Sequence, residues 1–545
     1  MRIGFCFLMI FWLLGIGLQA QTPIFTRADT LRGTVTHERA WWDLTFYELF
    51  VKVEPKEKYI SGSNIIHYKV LKPASVIQID LQEPLQIVNV TQHGQSLSFV
   101  KDGNAWFITL KEEQNPGEVN EIKVYYNGKP HEALKAPWDG GLTWSSDPNG
   151  RDFIATSCQG IGASLWWPCK DHMYDEPDSM KMTYMVPDSL FAVGNGRLRK
   201  IEAVEGGYRT FEWFVSNPIN NYGVSMSVGD YVHFGEQYQG ENGNLDCDYY
   251  VLRDHLEKAK IQFKDARRML EAFEHWFGPY PFYEDSYKLV EVPYLGMEHQ
   301  SCVTYGNGYK NGYKGRDLSE TGWGLKFDFI IIHESGHEWF ANNITYKDIA
   351  DMWIHESFTA YSEGLFLEYF YGKQAGAEYV IGTKLNIIND RPIIGMYGVN
   401  YGGSGDMYYK GANMLHTLRQ WVNDDNKWRA VLRGLNKEFY HQTVTTAQIG
   451  DYISQHTGLP LQSFFNQYLR DTRIPVLEYK IRGKKLYYRW TNCNDHFNLP
   501  VNIGVGEATI TLKPITGKWK KIRLDSKPMD IKVPTDYLID HKKVK

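Results

Sequence analysis

His333 and His337 enclose Glu334-Ser335-Gly336, and Glu356 follows nineteen positions after the second histidine, giving HExxH-x18-E. If Ile331 to Ala341 is helical, the two imidazoles lie four residues apart on one face, roughly 40° apart around the axis. Both can then reach one metal ion. Glu356 would bring a carboxylate oxygen from a second helix-like segment, Trp353 to Tyr371. Two histidines and one glutamate leave a fourth position open. That suits a catalytic zinc, one Zn2+ per chain, because a structural site is closed by a fourth protein ligand. Glu334 stands beside the first ligand and can take a proton from water at the metal. A bare HExxH also arises as a buried helix turn with hydrogen-bonded histidines. Glu356, at the right distance in its own helix, favours the metal.

These residues need a scaffold, and 545 residues are too many for one core. The pattern predicts a multidomain α+β chain. Residues 21–235 read as β-rich, with alternation in Leu44 to Val53, Ser75 to Leu81, Glu121 to Tyr126 and Met180 to Val186. Asp102-Gly103-Asn104 and Asn127-Gly128 read as turns. Residues 236–474 read as a mainly helical domain that carries the metal motif. Within it, Leu256 to Trp276 has helical periodicity and stops at Gly278-Pro279, and Tyr287 to Val292 is strand-like. Thr446 is expected to cap a helix running through Ile453. Residues 475–545 return to β, as a small sandwich-like domain.

A net charge of −5, from 59 basic and 64 acidic residues, gives no basic footprint for nucleic acid and no polybasic membrane patch. Met1-Arg2, the apolar run Ile3 to Leu18 and the small residue Ala20 read as a cleaved signal peptide, residues 1–20. The expected protein is exported, periplasmic or secreted, with no stable membrane insertion of the mature chain; an uncleaved anchor is the competing reading. Five cysteines would remain after cleavage, which is no disulfide framework, and pairing of Cys158 with Cys169 stays open. The sequence sets no oligomeric state.

Around the metal motif the chain resembles the gluzincin aminopeptidases of the aminopeptidase N and leukotriene A hydrolase type. Their HExxHxWxGNxVT appears as His333 to Thr345, with Trp339, Asn342 and Thr345 in agreement and Ala341 in place of Gly. Their WLNEGFAxYxE appears as Trp353 to Glu363, with His355 and Ser357 departing from Asn and Gly. Leu295-Gly296-Met297-Glu298-His299 is similar to GxMEN, departing at Leu295 and His299. Tyr408-Tyr409-Lys410-Gly411 is similar to YxKG, and Ser157-Cys158-Gln159 and Pro168-Cys169-Lys170-Asp171 resemble QCQ/E and PCxD. His172 to Glu176 looks like an insertion. Phe277 to Pro281 matches a further landmark.

The resemblance implies a saddle-like N-terminal β domain and a thermolysin-like catalytic domain acting on peptides. It implies that Tyr408 stabilises an oxyanion, with Tyr409 facing elsewhere if the segment is helical. It implies that Glu298, flanked by Gly296 and Met297 and aided by Gln159, binds the free α-ammonium and sets the cut one residue in. Only about seventy residues follow the catalytic domain, so a large helical roof cannot be assumed, and a more open site is one expectation. A zinc endopeptidase on the same fold, a non-catalytic peptide-binding relative and an epoxide hydrolase, known in one branch of the family, are the alternatives. His299 and His355 are expected to hydrogen-bond near the site rather than hold a second metal.

Overall fold

The computed structural model describes residues 24–525 and 530–545. The expected signal peptide lies outside the described residues. After two short helices, Arg27–Gly33 and His37–Ala40, the N-terminal region is built on an eight-stranded sheet beside sheets of four and three strands. The founding strand, Trp42–Glu54, buries Leu44, Tyr47, Leu49, Val51 and Val53. The step from Leu44 to Tyr47 breaks the period of two because a register shift falls between Leu44 and Phe46. Gly103 makes the expected turn, at φ 62°. Asn127 and Gly128 do not. They lie in the strand Val119–Gly128 and pair with Ser61 and Ile60, so the ladder overrides the local turn preference.

The strand Tyr231–Gly240 pairs with Gly243–Leu252 in a separate five-stranded sheet. That sheet therefore starts at 231, where the sequence pattern placed a change at 236. Its edge strand is Gly296–Met297, antiparallel to Val303–Tyr305. The residues around this edge are clamped by the N-terminal region. Tyr294 donates to the Thr156 carbonyl at 2.6 Å, and Asn195 Nδ2 donates to the Gln300 carbonyl at 2.7 Å.

The long periodic segment is two helices, Leu256–Gln262 and Lys264–Phe277, which meet at Phe263 and stop at Gly278, φ 97°. The helix after Val444 is capped by Thr445, not Thr446. Thr445 and Gln448 form a reciprocal capping box, while the Thr446 hydroxyl is taken by Asp351 and the Trp353 indole. The C-terminal strands share one hydrophobic core with the catalytic helices, running from Tyr238 to Leu538. Tyr468 donates to the Leu538 carbonyl at 2.8 Å, which ties the last helix to the final segment. Among the described residues no helix is long and apolar enough to cross a membrane.

Candidate active site

Asp328 starts the helix Phe329–Gly336 by accepting from the Ile330 and Ile331 amides. The run Phe329-Ile330-Ile331-Ile332 buries it. The helix is shorter than Ile331 to Ala341 suggests. His337 keeps helical dihedrals at its C-cap, but Phe340 leaves them at φ −125°, ψ 78°. This kink turns the Phe340 carbonyl back onto His337 Nδ1, at 3.1 Å. His333 Nδ1 meets Glu363 Oε1 at 2.7 Å. A carbonyl and a carboxylate can only accept, so each Nδ1 carries the proton and each Nε2 is left with a lone pair.

Those two Nε2 atoms lie 3.7 and 3.4 Å from Glu356 Oε2. Glu356 Oε2 is buried and has no hydrogen-bond partner. Two ring nitrogens and a carboxylate oxygen therefore converge in a buried cluster that calls for a positive charge between them, a proton or a metal cation. Tetrahedral zinc at about 2.0–2.1 Å from each ligand spaces the donors by about 3.4 Å, so these residues fit the ion. The electrostatics agree. Burial opposes charge on His333, yet Glu356 and Glu363 hold its pKa well above the usual imidazole value. Burial also opposes charge on Glu356, yet His337 and His333 hold it well below the usual carboxylate range. Glu334 keeps 9 % of its surface against 1 % for Glu356, and both carboxylates line the cavity. Burial, reinforced by Glu298 and opposed by His333, pushes Glu334 up to about 7.

Gln159 reaches in from the N-terminal region. Its Nε2 donates to Glu298 Oε1 at 2.5 Å and to Glu356 Oε1 at 3.0 Å. Glu298 is thereby fixed beside the ligands, and burial raises its pKa. Asn342, from the extended zinc motif, donates to the Glu298 carbonyl at 2.9 Å. Gly296 and Met297 line the same cavity, of about 580 Å³. A Cβ on Gly296 would stand 2.7 Å from Ile330 Cγ2, so the edge strand can hug the helix only with glycine there.

Tyr408 also lines the cavity, its ring 5.9 Å from that of His333. Burial, then the surrounding glutamates, raises its pKa well above the usual phenol value, so it stays a proton donor. Tyr409 does not face elsewhere. Tyr408 has φ −72°, ψ −78° at the helix start, and both rings line the cavity. Ser357 explains its own departure from the family pattern by donating to the Met407 carbonyl at 2.6 Å, one residue before Tyr408. A Cβ on Gly411 would sit 1.9 Å from Ser357 Oγ, which accounts for the glycine of the YxKG-like stretch.

His355 Nε2 accepts from the Tyr346 amide at 3.0 Å, and burial keeps its ring neutral. His299 is buried and held neutral, its pKa lowered to about 3. Cys158 and Cys169 are buried free thiols. Sequence reasoning gave no role to Glu363, although it follows Glu356 by seven residues and so shares its helix face. It also missed Tyr222, whose buried phenol faces Glu298, and no sequence signal pointed to it.

A helix pair presenting two histidines and a glutamate to a cavity closed by a carboxylate and an amide defines a metal-dependent peptidase architecture. The family models agree. The peptidase M1 N-terminal domain matches residues 44–222 and the peptidase family M1 domain matches 261–393, and the chain belongs to the peptidase M1 family. Its relatives include probable aminopeptidase 2 of Sulfurisphaera tokodaii, 20% identical over 85% of this chain and 59% of that protein. Leucyl aminopeptidase of Saccharolobus solfataricus is 21% identical over 74% of this chain and 50% of that one. The chain thus spans about half to three-fifths of the length of these curated relatives. A solved M1 zinc metallopeptidase from Deinococcus radiodurans, bound to a Tyr-Ser-Ala substrate, shares the fold with TM-score 0.67. It is 22% identical, and the match covers 79% of this chain and 95% of that one.

Proposed function

We propose that this chain is a zinc-dependent aminopeptidase that removes N-terminal residues from peptides. The observation that carries this reading is Gln159 and Glu298 set against Glu356, which puts an ammonium-binding pair one residue's reach from the metal ligands. His333, His337 and Glu356 would hold the ion. When bound, zinc supplies a Lewis acid that lowers the pKa of water towards about 7 and polarises the scissile carbonyl.

The side chains do the rest. Glu334 takes a proton from the attacking water and returns it to the leaving nitrogen. Tyr408 donates its phenol hydrogen to the oxygen that becomes negative. Glu298 pairs with the free ammonium, and Gln159 holds that carboxylate in place. A peptide blocked at the N-terminus has no ammonium to pair with Glu298, so it is expected to be spared.

Mass spectrometry of one peptide offered with a free and with an acetylated N-terminus, with and without chelator, tests this. Stepwise loss of single residues from the free peptide alone, stopped by chelator, is the expected result. Internal cuts in both peptides would replace the reading with an endopeptidase. Export to the periplasm or beyond is part of the same proposal. It rests on the Met1 to Ala20 pattern. Amino-terminal sequencing of the protein recovered from cells checks it, with Gln21 as the expected first residue.

A further inference from the structure

The cavity has two chemically unlike ends. The edge strand Gly296–Met297 and the helix Phe329–Gly336 run alongside each other. Gly296 packs on Ile330, while Glu298 is held by Asn342, beyond His337. From Ile330 to His337 the helix advances ~10 Å. A peptide whose ammonium sits on Glu298 and whose first carbonyl sits at the ligands must therefore send its second residue towards Ile330. We group six uncharged side chains of the cavity lining with that end: Ile330 and its neighbour Phe329, Tyr313 edge-on to Phe329, Trp138 against Lys314, and Leu318 and Tyr409. The nearest spare carboxylate, Glu363, is already bound by His333 at 2.7 Å and Tyr379 at 2.6 Å.

Trp138 stands out among the six because it comes from the N-terminal region and is 67% exposed. Its loop is built rather than loose. Asp139 accepts from the Leu134 and Lys135 amides at 2.7 Å each, and the Trp138 amide donates to the Lys135 carbonyl at 3.0 Å. Gly140, at φ 65°, packs against Ile161. Lys314, from the catalytic domain, lies 5.8 Å from the centre of the indole, so the ring spans the cavity mouth. A large apolar ring left wet at a cavity mouth marks a place where a ligand supplies the cover.

We propose that Trp138 is a specificity-determining residue that packs on the side chain after the scissile bond and selects peptides with a large apolar second residue. This rests on the aminopeptidase reading. Phe329 and Tyr313, whose rings meet edge-on at 5.4 Å, line the same cavity. A charged second residue meets no charged group among these six side chains; the Lys314 ammonium lies only at the rim, on the indole.

The test uses the zinc-loaded full chain and the tetrapeptides Ala-X-Ala-Ala, with X as Phe, Leu, Asp or Lys. Release of the first alanine is expected to be about tenfold or more faster, in kcat/KM, for Phe and Leu than for Asp and Lys. In Trp138→Ala that ratio should shrink by about tenfold, and Trp138→Phe should restore most of it. A melting curve confirms that both variants are folded. A ratio near one in the native protein, or one unmoved in Trp138→Ala, overturns the proposal while single-residue release continues. A matching series X-Ala-Ala-Ala whose preference moves instead would place Trp138 at the first residue and equally overturn it. Absence of single-residue release from every peptide would remove the aminopeptidase reading itself.

Discussion

The two ends of the cavity are opposites. The amine end crowds Glu298, Glu334 and Glu356 around two histidines, all with little or no exposure. The leaving end presents rings and aliphatic chains, with Trp138 open to solvent. A buried carboxylate is costly unless it is paired, and here Gln159 bonds Glu298 and Glu356 while Glu363 and the Phe340 carbonyl fix the two imidazoles. At the other end the lining side chains are apolar or aromatic, and hydrogen bonds shape the Trp138 loop. On the proposed reading, chemistry concentrates where polar contacts gather, and selectivity where the lining is apolar.

The comparison breaks most sharply at Glu334. Glu334→Gln should lower kcat by about a thousandfold or more while elemental analysis still finds one zinc per chain. Turnover within tenfold of the parent would remove Glu334 from proton transfer. Tyr408→Phe is expected to cost about a hundredfold in kcat with little change in KM, read from steady-state kinetics on one free peptide. An effect confined to KM would make Tyr408 a packing residue like its neighbour Tyr409. Glu298→Ala should reduce kcat/KM on free N-termini by about tenfold to a hundredfold and narrow the gap to acetylated peptides. An unchanged gap would sink the ammonium assignment.

The smallest effect concerns stability. Gly411→Ala forces a methyl against Ser357 and should destabilise the fold by about 1–3 kcal/mol in denaturant unfolding. The double variant with Ser357→Ala should recover part of that loss. No recovery would mean the two helices are not held at this contact.

The metal ligands were legible because one helix turn places i and i+4 together whatever surrounds them, and the helix Trp353–Tyr371 was readable over its whole length. Local rules failed where tertiary contacts outbid them. Asn127-Gly128 joined a ladder, Thr446 was drawn off to Asp351, and the zinc helix kinked at Phe340 to give His337 its acceptor. Tyr409 entered the cavity because the helix starts there rather than before it.

By itself the sequence offered the candidate ligand set, a candidate base beside it, the tyrosine that joins them, and the β, helical, β order of the chain. These follow from short-range periodicity and from residue chemistry. Only the tertiary structure decided that Gln159 bridges Glu298 and Glu356 across nearly two hundred residues, that Glu363 fixes the His333 ring, and that Trp138 reaches over from another domain. Such contacts join residues remote in the chain, so no local pattern records them; they exist once two hydrophobic cores have packed and set the distance between their loops.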